Sequence, residues 1–209
     1  MLKRLSQYPG PMRVFLFLAC LAMAEGAAER PFRLSGPEVA KLDWNTRALT
    51  ARDLDGDGLT DLALINNDRA RIELLHQRRP GEAPEAPPRA APSARREPVL
   101  EDARFRRESV PTGLQMFALA IGDLNGDGKA DLAYTGKPDA LTIRFQGKEN
   151  DWGEKRVLDI GEPAQWTSTL AIADLNGDQR EDLIVLTQKE ILILLQSEKG
   201  ILSATTFLG

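Results

Sequence analysis

Three features of this sequence predict an all-β fold in which one strand-rich unit occurs three times, each copy a sheet of four antiparallel strands. An Asp-rich loop of nine residues recurs at Asp53, Asp123 and Asp174. A short alternating segment precedes each loop and apolar runs of four to five residues follow it. Turn-forming residues separate those runs, as between the strands of a hairpin.

The loops read Asp53-Leu-Asp-Gly-Asp-Gly-Leu-Thr-Asp61, Asp123-Leu-Asn-Gly-Asp-Gly-Lys-Ala-Asp131 and Asp174-Leu-Asn-Gly-Asp-Gln-Arg-Glu-Asp182. The first strand of each unit is expected at 47–51, 117–121 and 169–173, the second at 62–65, 132–135 and 183–186, and the third at 72–75, 141–145 and 191–195. Asn-Asn-Asp, Gly-Lys-Pro-Asp and Gln-Lys-Glu break the second run from the third, which favours strands over helices. A fourth strand is expected at 106–110, 155–160 and 203–208, completing in outline a propeller blade. Three blades do not close a ring, so the chain is expected to be open, truncated or completed by a partner, with self-association through its open blade edges as one outcome. Residues 25–44 form an N-terminal segment in which 32–44 could add an edge strand. The repeats occupy 45–209.

Repeat starts lie 70 and 51 residues apart, and the longer spacing is explained by Gln77 to Pro98. This segment carries six of the thirteen prolines with many Ala and Arg, so it is read as a disordered insertion.

Alternating Asp and Asn in a tight turn send every second side chain toward one centre, which suits a hard cation that takes six to eight oxygen ligands. Calcium is therefore expected in up to three loops. Side-chain ligands are assigned to Asp53, Asp55, Asp57 and Asp61 with the Leu59 carbonyl; to Asp123, Asn125, Asp127 and Asp131 with the Lys129 carbonyl; and to Asp174, Asn176, Asp178 and Asp182 with the Arg180 carbonyl. Gly56, Gly126 and Gly177 stand where a backbone wrapping an ion needs positive φ, and Gly58 and Gly128 supply a second such point. Gln179 replaces that second glycine in loop three, so its turn is expected to be strained or rearranged. An EF-hand would place a bidentate Glu at the twelfth position, where this chain has Leu64, Tyr134 and Val185 in apolar strands.

On these residues the chain resembles the FG-GAP or VCBS repeats of integrin α-subunit propellers and many secreted bacterial proteins. The likeness spans roughly Asn45 to Gly209 and rests on the loops, since the Phe-Gly and Gly-Ala-Pro signatures themselves are not evident. The resemblance implies a β-propeller with calcium in a hairpin loop of each blade.

The start of the chain reads as an export signal. Lys3, Arg4 and Arg13 are followed by an apolar stretch from Val14 to Met23 and by Ala22-Met23-Ala24, which places cleavage after Ala24. Met12 offers an alternative start. The stretch is short of the roughly 20 residues a membrane-spanning helix needs, and nothing later suits a span. A secreted or extracytoplasmic location is expected, with lipoprotein anchoring through Cys20, the only cysteine, as the weaker alternative. Removing residues 1–24 leaves 24 basic against 31 acidic residues, a net of −7, which speaks against a nucleic-acid partner.

No catalytic constellation accompanies the loops, so the chain is expected to be a non-enzymatic module that binds a protein or a glycan. The alternatives are the propeller domain of a polysaccharide-active enzyme and a structural piece of an envelope complex. His76, the only histidine, is expected at the surface or a strand end. Trp44, Trp152 and Trp166 are expected to pack blades rather than stack sugars.

Overall fold

The computed structural model describes residues 39–82, 104–113, 115–138, 140–148, 151–198 and 202–207, with side chains omitted for 202–207. The chain divides into Met1–Val39 and Ala40–Gly209, and the blades all belong to the second unit. Residues 1–24, where an export signal is expected, and residues 83–98 of the Pro-rich segment lie outside the described residues. Among the described residues no helix is long and apolar enough to cross a membrane.

Twelve strands form three separate four-stranded antiparallel sheets, each in chain order. Blade one contains β1 (Thr46–Arg52), β2 (Asp61–Asn66), β3 (Arg71–Gln77) and β4 (Phe105–Pro111). Blade two contains β5 (Gln115–Gly122), β6 (Asp131–Lys137), β7 (Ala140–Arg144) and β8 (Lys155–Leu158). Blade three contains β9 (Leu170–Ala173), β10 (Asp182–Leu186), β11 (Ile191–Gln196) and β12 (Leu202–Phe207). The fold is all-β with propeller-like blades, and the sheets are not closed into a barrel. In each blade the nine-residue loop joins the first strand to the second, as the order of the runs predicts.

Alternation along the strands decides which blade each side chain meets. Ala63, Ile65, Ile72 and Leu74 leave one face of blade one and pack against Leu119, Ile121, Leu132 and Tyr134 of blade two. The opposite face of blade two sends Ala133, Leu141 and Ile143 against Leu183, Val185 and Leu194 of blade three. Each fully buried Leu or Ile stabilises these seams by about 1.5–3 kcal/mol. The second loop residue belongs to the same seams, since Leu54 and Leu124 are buried. Its counterpart Leu175 is 45% exposed, as are Leu186 and Ile191 in large part, on a blade that no further described blade follows.

Two expectations need correction, on the tryptophans and on His76. Of the edge strand expected over 32–44, residues 32–38 lie outside the described residues and 39–44 form no strand; there Asp43 accepts hydrogen bonds from Asn66 Nδ2 (2.9 Å) and Arg69 Nε (2.7 Å), which hold its carboxyl below the usual range. Trp152 packs in the first seam as expected, whereas Trp44 and Trp166 are 90% and 69% exposed and pack no blade. His76 is at the end of its strand, the residue before last in β3, but it is not at the surface, being only 2% exposed. It shares strand parity with Ile72 and Leu74, so it faces blade two.

Candidate metal centres

Each loop is built by its own carboxylates before any cation is considered. The first-position Asp accepts from the N–H of the fourth and sixth residues: Asp53 from Gly56 (2.8 Å) and Gly58 (2.9 Å), Asp123 from Gly126 (2.6 Å) and Gly128 (2.8 Å), Asp174 from Gly177 (2.7 Å) and Gln179 (2.9 Å). The third-position side chain accepts from the fifth N–H, and the fifth from the seventh, as in Asn125 to Asp127 and Asp127 to Lys129, both 2.9 Å. These chained turns aim several oxygens at one small region. In loop one, Asp53, Asp55 and Asp57 each bring an oxygen within 4.8 Å of the other two.

The ninth-position Asp has a second task that spacing alone does not reveal. Asp61, Asp131 and Asp182 are fully buried, and each accepts two backbone N–H groups through its two oxygens. One comes from the second loop residue: Leu54, Leu124 and Leu175 at 2.9, 2.9 and 3.0 Å. The other comes from a glutamine at or just past the end of the third strand: Gln77, Gln146 and Gln196 at 2.7, 2.9 and 2.8 Å. Each carboxylate oxygen has lone-pair capacity left for a cation. Loop one brings its predicted carboxylates together in two overlapping groups, Asp53, Asp55 and Asp57, and Asp55 and Asp61 with His76. Loops two and three share the hydrogen-bond pattern but show no such group of three among the described residues, and in each loop the seventh residue is anchored through its N–H.

The same glutamines couple neighbouring loops. Gln146 Nε2 donates to the Leu54 carbonyl of loop one, and Gln196 Nε2 donates to the Asp123 carbonyl of loop two, both at 2.8 Å. Glu181, the eighth residue of loop three, accepts from the N–H of Asp123 (2.6 Å) and pairs with Arg52 of blade one (2.9 Å). A recurrent Gln 14–16 residues after the ninth-position Asp was the available sequence signal. Glu181 carried none, because its partners are 58 and 129 residues away.

Residues 123–185, from loop two into β10, the second strand of blade three, match the family model of the FG-GAP-like repeat. This stretch is an FG-GAP-like repeat. The match includes loops two and three whole, and loop one precedes it with the same hydrogen-bond pattern. The chain matches none of the curated proteins with which it was compared.

The electrostatics of the FG-GAP-like repeat suit a cation. Burial pushes the Asp131 carboxyl up to about 6, against backbone hydrogen bonds from Gln146 and Leu124 that lower it, and the charges of Asp127 and Asp123 add to the rise. No Lys or Arg among the described residues pairs with Asp123, Asp127 or Asp131; Lys129 Nζ turns instead to the Gly147 carbonyl at 2.9 Å. In loop three Arg180 meets Asp178 at 3.1 Å, which partly occupies that side of the loop. Gln179 adopts φ 67°, so loop three keeps the hydrogen-bond pattern of the others and takes the strain rather than rearranging. A cleft of about 560 Å³ lies between loops one and two, lined by Asp53 to Gly56, Gly128 to Ala130 and Gln146 to Lys148, and gives solvent a route to both.

Proposed function

We propose that this chain is an exported calcium-binding propeller-repeat module that acts by holding a protein or glycan partner and is not an enzyme. Loop two supports the calcium reading with a purely oxygen donor set, with Asp127 and Asp123 near enough for their charges to raise the Asp131 carboxyl, and with no basic side chain paired with them among the described residues. Asp123, Asn125, Asp127, Asp131 and the Lys129 carbonyl would hold the ion there, with the matching residues of loops one and three as further sites. When bound, calcium supplies positive charge at the carboxylates and a tie between the strand entering a loop and the strand leaving it. Three ions would add six positive charges to a net of −7 after signal removal, so loading also relieves self-repulsion. Export rests on the charged start, apolar stretch and small-residue cleavage site of residues 1–24.

A thermal melt with calcium and with EDTA tests this reading. Calcium should raise the midpoint, by about 1.4 kcal/mol of stability for each site at tenfold excess over Kd. Asp57→Ala and Asp127→Ala should each shrink that gain, and a melt indifferent to EDTA would remove calcium from the account.

The glycan form of the binding role is favoured by Trp44 and Trp166, whose exposed rings are free to stack on sugar faces. Binding to a glycan array that falls when either residue is changed to Ala is the expected result. A flat array would leave a protein partner as the occupant.

A further inference from the structure

Loop one has something behind it that the other loops lack. The residue before the anchoring glutamine is His76 in blade one, where blades two and three have Phe145 and Leu195. The imidazole is sealed in the seam with blade two, and neither ring nitrogen makes a hydrogen bond. Its Nδ1 lies 3.5 Å from Asp55 Oδ2 and 3.4 Å from Asp61 Oδ2, and its Nε2 lies 3.2 Å from Glu108 Oε2. Asp55, Asp61 and His76 bring one donor atom each to within 4.8 Å of one another.

We propose that Asp55, Asp61 and His76 form a mixed nitrogen and oxygen site for a first-row transition dication, with zinc as its probe, which makes loop one chemically distinct from loops two and three. Donor atoms around a tetrahedral ion at about 2.1 Å stand about 3.4 Å apart, which is the separation found between Nδ1 and the two carboxylate oxygens. An imidazole nitrogen suits zinc and its neighbours, whereas calcium takes oxygen donors. Coordination through Nδ1 leaves the proton on Nε2, where Glu108 stands as acceptor. A carboxylate behind a metal-bound histidine is the usual arrangement for fixing its ring and tautomer. Glu108 is itself held by Trp152 Nε1 at 3.3 Å and by Arg106 at 3.6 Å. An imidazolium serving only as an ion-pair partner would be expected to donate aligned hydrogen bonds to these carboxylates, and none is made. Asp55 is the partly exposed member, so the ion has a way in from the loop mouth; Arg106, 3.7 Å from Asp55, is the basic group among the described residues that must yield.

The inference deepens the reading of loop one as a cation site, and its test separates the two. Chelator-treated full-length protein is dialysed against zinc in millimolar calcium, and bound zinc is counted. One zinc per chain is expected, with Asp55→Asn and His76→Gln each weakening it about tenfold or more. Circular dichroism checks the folding of both variants; should buried His76→Gln misfold, the partly exposed Asp55→Asn decides. Absence of retained zinc in the wild type, or zinc held equally well by a folded variant, overturns the proposal. Zinc at loop one without any calcium response would sink the calcium reading alone, and a calcium response without zinc would sink this one.

Discussion

Asp131→Ala should destabilise the metal-free protein by about 2–5 kcal/mol, while Asp127→Ala, four residues away in the same loop, should cost about 0.5 kcal/mol or less. Asp131 is buried and accepts the N–H groups of Leu124 and Gln146, both at 2.9 Å. Its removal leaves two donors without acceptors in a region water does not reach, at about 1–3 kcal/mol each. Asp127 accepts from Lys129 at an exposed turn, where water replaces it. Urea unfolding in EDTA checks the difference, and equal costs would mean that the ninth-position Asp has no structural task apart from cation binding. The charge on Asp131 adds a pH signature. Its carboxyl is raised from 3.8 to about 6 in the folded chain by burial first and by Asp127 and Asp123 after it. The folded state therefore holds this proton more tightly than the unfolded state. The resulting stabilisation is fully present below pH 3.8 and is lost as pH rises through about 6. Asp131→Asn should remove that part of the metal-free profile, seen as the difference between the two unfolding curves.

Gly122→Ala is expected to cost about 3 kcal/mol, although the new group is a single methyl. A Cβ at this position would sit 2.7 Å from both Ile172 Cγ2 and Glu181 Oε2, and 2.9 Å from Ile172 Cδ1. Space, rather than an unusual backbone angle, is what demands glycine. The displaced carboxylate is the one that accepts from Asp123 N–H and pairs with Arg52, so overpacking also breaks the link across three blades. The corresponding residues before loops one and three are Arg52 and Ala173, so the constraint belongs to this seam and not to the repeat. A variant as stable as the wild type in thermal and urea unfolding would show that blades two and three can separate there freely.

The two substitutions differ in how far the sequence could have announced them. Asp131 was legible as part of a ninefold spacing, and its role toward a cation followed from residue type. Its structural role was not, because one of the donors it serves lies 15 residues on, just past the third strand, and becomes its partner only when the sheet forms. Gly122 looked like an ordinary residue ahead of a loop. His76 shows the same limit from the other side: the parity of Ile72, Leu74 and His76 was available, yet only the stacking of blade two on that face converts a strand residue into a buried imidazole beside carboxylates. The opposite holds for Trp44 and Trp166, whose aromatic character suggested packing although their positions meet no seam.

By itself, the sequence determined the strands, their grouping into three sheets of four, and the loops with their left-handed glycines. These depend on period-two alternation, turn chemistry and short-range hydrogen bonds, all readable within a few residues. Tertiary structure alone decided which face of each blade meets a neighbour, how Gln146, Gln196 and Glu181 join one loop to another, and why His76 and Gly122 stand where they do. Those contacts arise from blade stacking between residues far apart in the chain, and local patterning carries no record of distance across a seam.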